Sequence, residues 1–387
     1  MQVLMKKDYL VPVKLWTEEV EPGCAEQLDN LARLPFAFRH VAAMPDIHEG
    51  YGMPIGGVFA AVGAVIPNAV GVDIGCGVRA IRTNLRAEEI RSNLRLILNQ
   101  IQRAIPTGFN WHKKPQPDPI FDQAPVEIPI IAQELKNARH QIGTLGGGNH
   151  FIEIQSDLEG TVWVMLHSGS RNLGKQVADV YNRKAVELSD KLPVAIPEEW
   201  QLAYLPLDTK LGQEYLRAMN FCLAFARANR LKMMGWIKEI LGNFYPGLTV
   251  EKELDVHHNY ASFEEHFGQK VLVHRKGAVL AEGEVIIPGS MGSASYIAQG
   301  LANPESFRSC SHGAGRKMGR GEARRQISVE TVINEMRELG VELFKAKKND
   351  VAEECRQAYK EIDVVMENQR DLVKPLIKLQ PLGVVKG

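Results

Sequence analysis

The chain has 387 residues, 46 basic and 46 acidic, so its formal net charge is zero. That balance excludes a global field drawing the protein to polyanions, and any nucleic-acid contact must come from local basic patches. A hydrophobic content of 45% and a charged content of 24% are ordinary for a globular protein with a large core, and length alone would allow two or three domains.

The five cysteines, Cys24, Cys76, Cys222, Cys310 and Cys355, are scattered and form no CxxC pair. They argue against a disulfide framework and for a reducing compartment. Residues 1–16 carry Lys6, Lys7 and Asp8 with no apolar run, so no signal peptide is expected. The most apolar long segment, 215–241, is interrupted by Arg217, Arg227, Arg230 and Lys232 and predicts a core helix, not a membrane span. A cytoplasmic address is the resulting expectation.

Taken in order, residues 41–57 predict a strand, then Pro45-Asp46-Ile47-His48, then a glycine-punctuated loop. Residues 58–66 are small and apolar, a buried strand or turn leading to Gly71-Val72-Asp73-Ile74-Gly75-Cys76-Gly77. Ile90, Leu94, Ile97, Leu98, Ile101 and Ile105 recur at helical spacing, with Pro106 as the stop. Residues 107–129, rich in proline, tryptophan and lysine, predict an irregular surface loop. The glycine loop 143–148 carries Asn149-His150 into Phe151-Ile152-Glu153-Ile154, which alternates as a strand does. An apolar run over 161–166 ends in His167-Ser168-Gly169-Ser170-Arg171.

A helical middle is expected over 197–241, then His257-His258-Asn259-Tyr260 and a strand at 271–273. Val285-Ile286-Ile287 runs into Pro288-Gly289-Ser290-Met291-Gly292. Beyond Ser309-Cys310-Ser311-His312-Gly313-Ala314-Gly315-Arg316 the chain is expected to be helical, with Tyr359-Lys360 inside a helix and Lys386-Gly387 at its close. No repeat or flexible linker interrupts it. Chemistry-bearing residues drawn from Asp73 to Lys386 predict one interwoven domain over residues 1–387. The expected fold class is α+β, mixed sheets with flanking helices.

Asp73 offers hard oxygens and Cys76 a soft sulfur, a pairing suited to a divalent metal of intermediate character. A tight turn with Cys76 as a small buried hydrophobe is the packing alternative. His150, His167 and His258 each sit beside glycine or a small polar residue at the end of a strand-like run. With Asp73 and Cys76 they make a ligand set that packing does not explain, and one thiolate can bridge two ions. Softness favours zinc, while the carboxylate leaves manganese open. His40, His112, His140, His257, His266 and His274 are expected to be structural or surface residues, with His48 left open.

Absences constrain the nucleotide chemistry. There is no GxxxxGK[ST] loop, no GxGxxG opening a helix, no Lys-x-Asp-Gly and no His-x-His-x-His. His312, between Ser311 and Gly313-Ala314-Gly315 and followed by Arg316, is a candidate nucleophile toward phosphorus. A glycine turn with an incidental histidine is the alternative. Arg316, Lys317, Arg320, Arg324 and Arg325 form either a solvated face or the footprint of a nucleic-acid backbone, to which Arg275-Lys276 would add.

The set GVDIGCG, GGGNHFIE, LHSGSR, HHN, PGSMG, SCSHGAGR, AYK and a terminal VKG resembles, in order and over nearly the whole chain, the RtcB family of GTP-dependent RNA ligases. The resemblance implies an enzyme of tRNA splicing and RNA repair that joins RNA 3′-phosphate or 2′,3′-cyclic phosphate ends to 5′-hydroxyl ends. His312 would be guanylylated by GTP, and GMP would pass to the RNA 3′-phosphate before the 5′-hydroxyl displaces it. Two Mn²⁺ ions are implied, one on Cys76, His167 and His258 and the other on Asp73, Cys76 and His150. Implied guanylate contacts are Asn149, His150, Phe151, Ile152, Glu153, His258, Asn259, Pro288, Gly289, Ser290, Met291, Ser295, His312, Gly313, Ala314, Gly315, Tyr359 and Lys386.

Asp46 matches an acidic position near the reacting phosphates, and the basic run from Arg316 to Arg325 matches weaker RNA contacts. An activating protein such as an archease is an implied partner, and a monomer is expected. Glu153 can accept from N1–H and the N2 amino group of guanine, and finds no such donors on adenine. Gly319 stands where many members carry serine, and His48-Glu49-Gly50-Tyr51 varies among them. Both touch RNA contacts or loop shape and leave the reaction alone. A binuclear phosphodiesterase, or a guanylate-sensing RNA-binding protein without turnover, are the rival readings.

Overall fold

The computed structural model describes residues 1–345 and 348–387. Two sheets carry most of its strands. The larger has eight, seven of them in the spatial order Val250–His257, Gly77–Arg86, Thr161–Ser168, Phe151–Ser156, Val373–Lys386, Ser295–Gly300, Glu284–Ile287. The eighth, Glu342–Lys345, lies parallel to Val373–Lys386. The smaller sheet has six strands, ordered Gln2–Leu4, Val13–Leu15, Ala37–His48, Ile55–Ala61, Gln269–Lys276, Asn259–His266. Antiparallel neighbours predominate and a parallel pair enters each sheet, so the expected α+β class with mixed sheets is the observed one.

Side-chain alternation sorts the central strands onto two faces. Ile152, Ile154, Val164 and Leu166 pack with Ile97, Leu98, Ile101 and Ile237 on the helical side. Phe151, Trp163 and Met165 pack with Ile286, Ile297 and Met336 on the other. Glu153 and His167, in register with that second set, share its face.

The expected core helix is Lys210–Phe244, roughly 50 Å long at 1.5 Å per residue. It begins where Thr209 accepts a hydrogen bond from the Gly212 N–H at 3.1 Å. Its first half buries Tyr215, Met219 and Phe225 in one core, and its second buries Met233, Ile237 and Leu241 in another. Between them Asn229 and Arg230 are fully buried polar residues in an apolar run. Among the described residues no helix is long and apolar enough to cross a membrane.

Several sequence expectations are corrected. The helix expected from Ile90 to Pro106 is two, Ala87–Arg91 and Leu94–Ala104, because the chain turns at Asn93, whose N–H returns to the Ile90 carbonyl. The helical middle begins only at Lys210, since residues 197–209 hold a short turn and a two-residue strand at Leu205–Pro206. Ala37–His48 is one strand through Pro45, and its pairing is interrupted between Ala43 and His48, where proline can offer no N–H.

The C-terminal part is not all helical. Tyr359 has extended backbone outside any helix, and Val373–Lys386 is a strand between Phe151–Ser156 and Ser295–Gly300. Pro375 and Pro381 forbid a helix there, and both sit at register shifts where the ladder does not need their missing N–H. Arg275 does not extend a basic patch. It is fully buried, donating to Glu264 (3.0 Å), Ser309 Oγ (2.9 Å) and the Phe307 carbonyl (2.9 Å).

One junction places the site. Val250–His257 edges the larger sheet and Asn259–His266 edges the smaller, so the chain changes sheets at His258.

Candidate active site

A cleft of about 690 Å³ opens at that junction, a size ordinary for small-molecule sites. Its walls include Asp73, Cys76, Asn149, Phe151, Glu153, His167, His258, Asn259, Pro288, Gly289, Ser290, Met291, His312, Gly313, Ala314, Gly315, Tyr359 and Lys386. Residues separated by hundreds of positions thus share one surface.

At its floor the ligand candidates form a chain of close contacts. Asp73 Oδ2 is 3.0 Å from His150 Nε2, which is 3.4 Å from Cys76 Sγ. That sulfur is 3.1 Å from His167 Nε2, itself 3.3 Å from His258 Nε2. Donor atoms of Cys76, His150 and His167 all lie within 4.8 Å of one another. His150 Nδ1 faces the Leu145 carbonyl at 2.9 Å and His167 Nδ1 the Asn149 carbonyl at 3.2 Å. A carbonyl only accepts, so both rings carry their proton on Nδ1 and offer an Nε2 lone pair to the cluster.

Burial holds His167 and His258 well below the usual histidine range, and neighbouring imidazoles add to this. Burial, then the Asp73 carboxylate, pushes the Cys76 thiol well up. Neutral acceptors turned toward one another, with a carboxylate among them, have too few protons to share. A cation supplies what they lack. The Asp73, Cys76, His150, His167 and His258 set fits a metal centre.

The loops bearing these candidate ligands are held from behind by two residues to which the sequence reading gave no role at the site. Asn229 Oδ1 accepts from the Gly143 N–H at 2.7 Å, and its amide donates to Ser168 Oγ and the Gly169 carbonyl at 3.2 Å each. Arg230 donates to the carbonyls of Gly75 (3.0 Å) and Ser168 (2.9 Å) and pairs with Asp255 at 2.7 Å. Two adjacent polar residues inside an apolar helical run were the available signal. A Cβ on Gly169 would overlap the Asp73 carboxylate as it stands, so glycine there leaves room for that side chain.

His312 stands against the clustered histidines, its ring 4.8 Å from that of His258. Asp46 is fully buried, and its Oδ2 accepts both the His312 backbone N–H at 3.0 Å and the ring Nδ1–H at 2.6 Å. A carboxylate on Nδ1 leaves the Nε2 lone pair as the free one. Lys360 grips the main chain on either side of Asp46, donating to the carbonyls of Pro45 (3.1 Å) and Ile47 (2.7 Å). Gly315 has φ +72°, and a Cβ there would overlap the Asp46 carbonyl.

At the other end Glu153 is buried and accepts from Gln155 Nε2 at 2.7 Å. Burial pushes its carboxyl up to about 7, against the hydrogen bond from Gln155 and the charge of Lys386. Ser295 stands behind the wall, its Oγ taking Gln155 Nε2 at 3.1 Å and the Gly289 N–H at 3.2 Å. Tyr359 donates to Glu354 at 2.7 Å, and Lys386 pairs with the same carboxylate at 3.2 Å. Nothing in the sequence around Glu354 marked it.

Some expected contacts face away from the cleft or are already bonded within the protein. The Ile152 side chain faces the core on the far side of the sheet. Asn259 spends its amide on the Asp73 carbonyl (3.1 Å) and the Gly277 N–H (2.8 Å). Of the basic run, Arg316 is drawn inward to Tyr359 (3.0 Å) and Glu354 (3.4 Å), and Arg320 lies on the cleft rim. Lys317, Arg324 and Arg325 are exposed beyond it. Lys276 lines the cleft and donates to the carbonyls of Tyr51 (2.7 Å) and Asn68 (3.0 Å).

The family profile described as tRNA-splicing ligase RtcB matches residues 27–127 and 122–387. The chain belongs to the RtcB family. It is 40% identical to the RNA-splicing ligase RtcB of Escherichia coli (strain K12), with 97% of each chain covered. It is 35% identical to the tRNA-splicing ligase RtcB of Nanoarchaeum equitans over 97% of this chain and 95% of that one. With the RNA-splicing ligase RtcB of Mycobacterium tuberculosis the identity is 34%, over 93% of this chain and all of that one. RtcB membership therefore spans both sheets and every ligand candidate at the cleft.

Proposed function

We propose that this protein is an RNA ligase of tRNA splicing and RNA repair. It would join RNA 3′-phosphate or 2′,3′-cyclic phosphate ends to 5′-hydroxyl ends with GTP as cosubstrate. The observation that carries this reading is His312, its Nδ1 bound to buried Asp46 and its free nitrogen beside the Asp73, Cys76, His150, His167 and His258 cluster. A phosphodiesterase that shared only the ligand set would give no reason for that oriented nucleophile.

His312 Nε2 attacks the α-phosphorus of GTP, the new N–P bond replacing the bond to pyrophosphate. Asp46 keeps the ring in the correct tautomer and offsets the positive charge it acquires. GMP then passes to the RNA 3′-phosphate, and His312 regains its lone pair. The 5′-hydroxyl attacks the activated 3′-phosphorus, its proton passing to solvent as GMP leaves. A cyclic phosphate is first hydrolysed, water adding to phosphorus as the P–O2′ bond breaks and O2′ takes a proton, to give the 3′-phosphate. Asp73, Cys76 and His150 would hold one Mn²⁺ and Cys76, His167 and His258 a second, with the thiolate shared. Bound there, the ions would neutralise phosphate charge and align the displacements.

Glu153 would read guanine, with Asn149, Phe151, Pro288 to Met291, Tyr359 and Lys386 enclosing the nucleotide. The same reading takes residues 1–387 as one catalytic domain, a cytoplasmic monomer with an archease-type activator as partner. The five cysteines, all buried and free, support a reducing compartment.

Pure protein incubated with Mn²⁺, labelled GTP and RNA bearing 3′-phosphate and 5′-hydroxyl ends tests the proposal. Joined product that requires both Mn²⁺ and GTP is expected; hydrolysis without GTP would favour the phosphodiesterase. The Glu153 carboxyl adds a pH dependence. Only its ionised form accepts from both N1–H and the N2 amino group of guanine, and burial raises its carboxyl to about 7 in the free protein. Nucleotide affinity should be constant above that range and fall up to tenfold per pH unit below it. Calorimetry of GMP binding at several pH values would show this, with a proton released on binding at the acidic end. A flat profile in the parent, or an unchanged profile in Glu153→Gln, would remove Glu153 from base recognition.

A further inference from the structure

We infer that Phe109 and Trp111 form a stacking platform for the single-stranded part of the substrate RNA just outside the cleft. The inference rests on the RNA-ligase reading and extends it to a surface which that reading leaves unused. Phe109 is wholly exposed and Trp111 is 45% exposed, two aromatic rings in three residues of an irregular loop. Single exposed apolar residues are ordinary, but this pair is held on a tethered frame. The Gly108 N–H donates to the Gly146 carbonyl at 2.7 Å, and His112 and His140 exchange backbone and ring hydrogen bonds at 3.0 and 2.9 Å. His112 Nε2 also meets the Gly143 carbonyl at 3.1 Å, and Gln116 donates its N–H to the Arg139 carbonyl at 2.7 Å. Such a frame fixes the backbone from which the two rings project, so no loop ordering is needed when a base stacks on them.

The frame also places them. Gly108 packs on Gly147, two residues before Asn149 on the cleft wall, and the next glycine, Gly148, adjoins the guanidinium of Arg320 on the rim. A track therefore leads from the rim cation across the glycine loop to Phe109 and Trp111. Exposed Lys113 and Lys114 continue it, and residues 107–117 contain no acidic side chain. Cations interleaved with exposed rings suit a polyanion whose bases are unpaired. A protein partner would gain from the same apolar area but would give the cations no regular role.

Anisotropy of a fluorescent 20-nucleotide RNA ending in 3′-phosphate, and of one beginning with 5′-hydroxyl, tests this on the full chain. Phe109→Ala combined with Trp111→Ala should weaken binding of at least one strand by roughly fivefold to a hundredfold, the range expected for losing a base–aromatic stack. Formation of the RNA-independent GMP adduct should not change. A strand abasic over the nucleotides nearest its reacting end should bind parent and variant alike. Leucine at both positions keeps apolar bulk without a π-face and should behave as alanine does, while Phe109→Tyr with Trp111→Phe should restore binding. Unchanged affinity for both strands in the alanine variant overturns the platform and leaves the face free for a protein partner. Full affinity in the leucine variant overturns it by showing that apolar bulk, not a π-face, is what the RNA contacts. Should the parent itself fail to bind or join RNA, it is the ligase reading that falls.

Discussion

His312→Ala should abolish the protein–GMP adduct that the parent forms with Mn²⁺ and GTP in the absence of RNA. The parent adduct would be a phosphoramidate, labile to acid and comparatively stable to base, and pyrophosphate would be released with it. The variant should lose joining of 3′-phosphate ends entirely, yet still join RNA prepared with a 3′-GMP cap. That last displacement needs alignment and charge neutralisation but no nucleophilic histidine. Asp46→Asn separates orientation from nucleophilicity, because an amide on Nδ1 can stabilise the wrong tautomer. By analogy with the orienting aspartate of serine proteases, adduct formation should slow by roughly two to four orders of magnitude, with capped RNA joined normally. An adduct that persists in His312→Ala, or that maps to a lysine, would overturn the assignment.

Cys76→Ser should cost more activity and more bound metal than His150→Ala or His258→Ala. The sulfur sits between His150 Nε2 and His167 Nε2, at 3.4 and 3.1 Å, so it serves both sides of the cluster. Each histidine serves one. A hard hydroxyl is a poor substitute for a shared thiolate on a transition-type ion. Losing only a hydrogen-bond partner of a ligand typically costs roughly 10–100-fold in metal affinity or activity, and a shared ligand should cost more. Metal content by mass spectrometry, read beside ligation rate, decides the matter. Full occupancy with full activity in Cys76→Ser would sink the shared role.

The candidate ligands stood out in the sequence because their chemistry has few other uses. An Asp–Cys pair among glycines, and histidines at strand ends, are costly choices for packing alone. Asp46 was visible as an acidic motif residue, but its hydrogen bonds to His312 were not, since 266 positions separate the two. Glu354 left no trace, because its partners Arg316, Tyr359 and Lys386 come from three segments. Arg230 was legible only as a flaw in an apolar helix, although its guanidinium holds two of the loops that carry candidate metal ligands.

By itself the sequence determined the residue types at the site, the absence of familiar phosphate loops, and the strands that alternation writes into 151–156 and 161–168. Those are local properties, set by side-chain chemistry and a period of two. Tertiary structure alone decided that Val373–Lys386 forms an inner strand, and that Arg275 is a buried ion-pair partner and not a surface charge. It also decided that His258 lies where the chain leaves one sheet for the other. A strand's place in a sheet depends on neighbours distant in sequence, and a charge goes inward only where another segment brings its counter-charge.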